Sequence, residues 1–83
     1  MKKKLLEILE TSVKFGLGKA DADAVKEMIN AGEFTIALEW IIDQLFEFDR
    51  SIDNNFFKQF EETAKSMGVD ESRIANLKSL VNK

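Results

Sequence analysis

The side chains of this sequence that could do acid–base work are carboxylates, and the densest set is Glu39, Asp43, Glu47 and Asp49. Paired carboxylates cleave glycosides when a pocket pushes their pKa values apart. Here, however, Glu39, Asp43 and Glu47 recur at i, i+4 and form a stripe along one side of a helix, the pattern of a solvated face. Cysteine and histidine are both absent. That removes disulfides, soft-metal sites, Cys or Ser/His nucleophile pairs and the usual near-neutral acid–base group. A divalent cation could gather carboxylates, but no Asp-x-Asp-x-Asp-Gly loop occurs. Gly16-Leu17-Gly18 lacks the third glycine and the preceding strand of a phosphate-binding loop. The chain is therefore expected not to be an enzyme and to need no metal or cofactor. What remains for these residues is binding. An acidic stripe beside Trp40 suits a basic, nucleic-acid-binding protein surface, with charge hastening encounter and the indole as a desolvated anchor.

The stripe must be positioned by the stretch from Gly32 to Asp49, the longest apolar-rich run of the chain. At roughly 100° per residue, Phe34, Ala37, Leu38, Ile41, Ile42, Leu45 and Phe48 gather on one broad side, opposite Glu33, Glu39, Asp43, Gln44 and Glu47. Ile36 and Trp40 fall in or beside the acidic arc. A helix apolar over so much of its circumference is expected to be central, with neighbours on several sides. For Trp40 two readings stand: a neighbouring helix covers it, or it belongs to an interaction surface.

The remaining helices are read from their ends. A first helix spans residues 2 to 15, with Leu5, Leu6, Ile8, Leu9, Ser12, Val13 and Phe15 at three- and four-residue intervals, and leaves at Gly16-Leu17-Gly18. Leu5, Leu9 and Val13 are expected to cover part of the central helix. A second begins near Asp21 or Asp23, carries Ala24, Val25, Met28 and Ile29, and stops at Gly32. Glu33 opens the central helix almost at once. After a turn at Asp49 to Asp53, Asp53 caps a fourth helix running to about Met67, with Ile52 and Phe57 placed as a hydrophobic staple. Asp70 repeats the device for a fifth helix, between Val69 and Ile74, whose apolar marks are Ile74, Leu77, Leu80 and Val81. The expected fold is all-α: a compact bundle of about five helices around a central helix at about residues 33–48, forming a single domain over residues 1–83.

The sequence is 45 % hydrophobic and 33 % charged, without proline, as suits an ordered helical protein rather than a disordered one. Its net charge of −3 disfavours direct binding to nucleic acid, for which a basic face is the usual footprint. Leu5, Leu6, Ile8 and Leu9 are too short a run for a signal peptide or a membrane span. A cytoplasmic location follows as the expectation.

The run Gly32-Glu33, Ala37-Leu38-Glu39, Asp43-Gln44-Leu45, Glu47 and Asp49, followed by Gly68-Val69-Asp70-Glu71-Ser72-Arg73 and Leu77, resembles the MafI-type bacterial immunity proteins. These are small helical partners of polymorphic secreted toxins, including those of contact-dependent growth inhibition. The likeness runs in order and spacing over roughly residues 24 to 81, with Ile74 where an aromatic is expected and no family mark in the first helix. It implies an antitoxin-like inhibitor that binds a cognate toxin domain, often a nuclease and frequently one that cuts RNA, by occluding its active or substrate-binding site. Of the matched residues, Gly32 and Gly68 serve as helix stops, Ala37, Leu38, Leu45 and Leu77 as core, and Asp70 as a cap. Glu33, Glu39, Trp40, Asp43, Glu47 and Asp49 are left as candidate partner contacts, although Asp43-Gln44 could equally tie the central helix to a loop backbone. The competing reading is a small helical adaptor acting by protein–protein binding or by homo-oligomerisation through its phenylalanine-rich faces, and a homodimer is left open. A helix-turn-helix DNA binder over residues 53 to 81 fails on charge, since Arg73, Lys78 and Lys83 make no basic face.

Overall fold

A computed structural model describes all 83 residues. The chain forms α1 (Lys2–Lys14), α2 (Lys19–Asn30), α3 (Phe34–Glu47), α4 (Asn54–Ser66) and α5 (Glu71–Lys78), with no strand. The long third helix is the hub. It packs against α1, α2 and α5, while α4 packs on α5. Its buried side is Ala37, Leu38, Ile41, Ile42 and Leu45, each fully enclosed. Leu5, Ile8 and Leu9 of α1 and Val25 and Ile29 of α2 close on that side, as do Phe56, Phe57 and Phe60 of α4 and Ile74 and Leu77 of α5. Phe56 joins two elements through its ring. It lies 5.1 Å from Phe15 at the end of α1 and meets Phe60 edge-on at 5.7 Å, both within the range of favourable aromatic pairs. No helix is long and apolar enough to cross a membrane.

Helix ends follow a common rule. Each of α1 to α4 closes with a residue at positive φ just past its C-cap, where two backbone N–H groups turn back onto the last carbonyls. At Gly32 (φ +79°), the N–H of Glu33 reaches the Met28 carbonyl at 2.9 Å, so α2 ends and α3 begins within a few residues. In α3 the same position is held by Asp49 at φ +52°, an uncommon conformation for a residue with a Cβ. The N–H of Arg50 there donates to the Leu45 carbonyl at 2.9 Å, and Lys83 Nζ lies 2.6 Å from the Asp49 carboxylate. Both expected aspartate caps form: Asp53 accepts from the Phe56 N–H at 2.7 Å and Asp70 from the Arg73 N–H at 2.9 Å. Ile52, Phe57, Val69 and Ile74 beside them are all buried.

Four local expectations are revised. The second helix starts at Lys19, not near Asp21 or Asp23, because Gly18 takes the extended N-cap conformation. Asp21 then falls in the first turn, where a carboxylate faces the positive end of the helix dipole. Val13 is 45 % exposed and lies outside the core. The inward position on that turn belongs to Ser12, whose hydroxyl donates to the Ile8 carbonyl at 2.8 Å. Phe48 is 59 % exposed, because it is the C-cap, where the chain leaves the helical path and the core-facing azimuth no longer applies. Leu80 and Val81 lie beyond the fifth helix. Leu80 is fully buried there, and its carbonyl accepts from the Ile52 N–H at 3.0 Å while the Asn82 N–H donates to the Ile52 carbonyl at 2.8 Å. A single parallel bridge thus ties the end of the chain to the turn between α3 and α4.

Candidate protein-binding face

Along α3, a spacing of three and four residues puts Glu33, Ile36, Trp40, Asp43 and Glu47 on one line. This line is the outer side of the hub helix. Ile36 is 49 % exposed and Trp40 37 %, so neighbouring helices cover this second apolar strip only in part. Trp40 is partly covered by a neighbouring helix. Its indole N–H donates to the Asp21 carboxylate at 3.1 Å, which holds the ring against α2 while leaving part of it open.

The acidic stripe is not free throughout. Arg73 of α5 lies across it and gives Asp43 two bonds, from Nε at 3.0 Å and from a terminal nitrogen at 3.3 Å. The other terminal nitrogen reaches Asp70 at 3.1 Å and Glu39 at 3.5 Å. Such a fork on a carboxylate is the geometry for which a planar guanidinium is suited and an ammonium is not. The hydrogen bond to Asp43 and that carboxylate's charge raise the Arg73 pKa still further above its ordinary value. The Ser72 hydroxyl, then the Arg73 backbone N–H, hold the Asp70 carboxyl below the usual carboxylate range. Asp43 therefore ties α3 to the side chain of α5 rather than to a loop backbone, and Thr35 adds a bond from its hydroxyl to the Met67 carbonyl at 2.8 Å.

Of the six candidate contacts, Glu39 and Asp43 thus have an internal cation and Asp49 has Lys83. Glu33 and Glu47 are exposed and enter no ion pair. Compared with known protein families, characterised proteins and solved structures, the chain matches none.

Two residues important to this face escaped the sequence reading. Arg73 figures in the sequence only within the Gly68-to-Arg73 run and among the cations that make no basic face, though its position three residues after a cap already places it on the same side as Asp70. Asp21 was read as a possible cap, and nothing in the sequence announced its bond to an indole nineteen residues away. Elsewhere the surface has two shallow hollows. One, of about 390 Å³, lies between Lys14, Phe15, Asp53 and Gln59, and the other between Leu6, Glu10 and Lys26. Each is lined by a single carboxylate, so neither brings two carboxylates together. No group of three or more acidic side chains is placed to hold a metal ion.

Proposed function

We propose that the protein is an immunity protein that acts in the cytoplasm by binding a secreted bacterial toxin domain, a basic RNA-cleaving nuclease, and blocking its substrate site. The observation that carries the reading is the outer side of α3, where Ile36 and Trp40 are exposed between carboxylates although the opposite side of the helix is core. Exposed apolar groups ringed by charge are a frequent mark of protein–protein sites. The resemblance of residues 24 to 81 to the MafI-type proteins supports the choice of partner. Among the matched residues, Glu39 and Asp43 of α3 form ion pairs with Arg73 of α5, which also pairs with Asp70. Carboxylates on a basic cleft would stand where substrate phosphates otherwise sit.

A self-associating helical adaptor is the second reading, favoured by the exposed rings of Phe46 and Phe48. The two separate in one experiment. The immunity reading requires a toxin gene directly upstream; cells expressing that gene's toxin domain should survive when the chain is co-expressed, and absence of such a gene, or death in the chain's presence, would remove the immunity reading. A concentration-dependent dimer lost on Phe46→Ser would favour the adaptor.

A further inference from the structure

Resting on that immunity reading, we infer that the partner seats an apolar socket on Ile36 and Trp40, rimmed by lysines or arginines that face Glu33 and Glu47, while Glu39 and Asp43 serve the scaffold. The division of labour comes from how the side chains are spent. Arg73 holds Asp43 through two nitrogens and Glu39 through one, so a partner cation aimed at either must compete with an arginine already in place. Glu33 and Glu47 have no such competitor. They bracket the apolar pair along the helix, about 21 Å apart at ~1.5 Å per residue. Trp40 is pre-oriented by Asp21, so less rotamer freedom is lost when it is buried.

The charge pattern also selects the occupant. A second copy packed antiparallel about Trp40 would set Glu33 of one chain opposite Glu47 of the other, and parallel packing would set each glutamate against itself. With Arg73 engaged, the face has no spare cation to relieve either arrangement, and like charges across an interface count against a partner. Nucleic acid and anionic lipid meet the same repulsion. A basic protein surface does not.

The test uses the full chain, with the toxin domain that the immunity reading places directly upstream as the probe and co-expression survival as the check on that reading. With the parent chain protective, Ile36→Ser should weaken binding roughly tenfold or more, as for a central interface residue. Glu33→Lys with Glu47→Lys should slow association and flatten its salt dependence. Glu62→Lys with Glu10→Lys, an equal charge change placed on α4 and α1, should alter neither. The chain has one tryptophan, so its emission in the Ile36→Ser variant and in the parent reports directly whether the face is being covered. Parental protection together with unchanged binding by both α3 variants overturns the inference and leaves the immunity reading standing. Failure of the parent chain to protect overturns both. A dimer of the isolated chain that Ile36→Ser disperses assigns the face to a second copy and overturns the inference as well.

Discussion

Replacing Trp40 by alanine tests whether one ring can be both a brace between helices and an open anchor. The ring is 37 % exposed, so of the ~220 Å² that a tryptophan can bury, roughly 140 Å² is covered in the free chain. At about 25 cal/mol per Å² this amounts to some 3.5 kcal/mol, and allowing for a compact unfolded state brings it to about 2–3 kcal/mol. The indole bond to Asp21 adds at most about 1 kcal/mol, because that carboxylate can be rehydrated when the ring is gone. A chain of this size has about 4–12 kcal/mol in hand, so the variant should still fold at room temperature. Urea unfolding followed by circular dichroism should show a loss of about 2–4 kcal/mol, and thermal unfolding a fall of roughly 10–20 °C. Trp40→Phe, which keeps most of the contact area, should lose about 1 kcal/mol. A cost for Trp40→Ala below about 0.5 kcal/mol would mean that α2 does not brace the ring. A variant that cannot fold at all would make Trp40 core, and unavailable as an anchor.

Three further measurements check the frame that holds this face. Asp53→Ala removes the cap of α4 and should cost about 1 kcal/mol in denaturant unfolding, within the usual range of about 0.5–2. Deleting residues 80 to 83 removes the fully buried Leu80 and the hydrogen bonds to Ile52, and should cost at least about 3 kcal/mol in the same assay. Asp70 has its folded pKa held below its unfolded one, first by the Ser72 hydroxyl and then by the Arg73 N–H. Its contribution is therefore fully present above the unfolded value of about 4 and is lost as pH falls through the lower folded value. Asp70→Asn should flatten that acid limb of the stability curve while leaving its slope near neutrality unchanged.

The helices themselves were legible because their signals are local. The Asp53 and Asp70 caps, the stops at Gly32 and Gly68 and the apolar period of α3 each depend on residues within one or two turns, and chain geometry translates them directly into structure. Where several local signals competed, the reading slipped. Gly18, Asp21 and Asp23 can each open a helix, and in the structure Gly18 takes the N-cap position. The candidate face was half legible: the sequence alone determined that Ile36, Trp40 and the acidic residues share one side of α3, since that follows from the helical period. Which of those groups are free depended on residues far along the chain. Arg73 comes to Asp43 from thirty positions away, Asp21 to Trp40 from nineteen, and Lys83 to Asp49 from the end of the chain. No periodicity encodes such pairings, because the burial of whole helix faces sets the angle between helices and the side chains meet only afterwards. The tertiary structure alone therefore decided that Glu39 and Asp43 are bound internally while Ile36, Glu33 and Glu47 are left open to solvent.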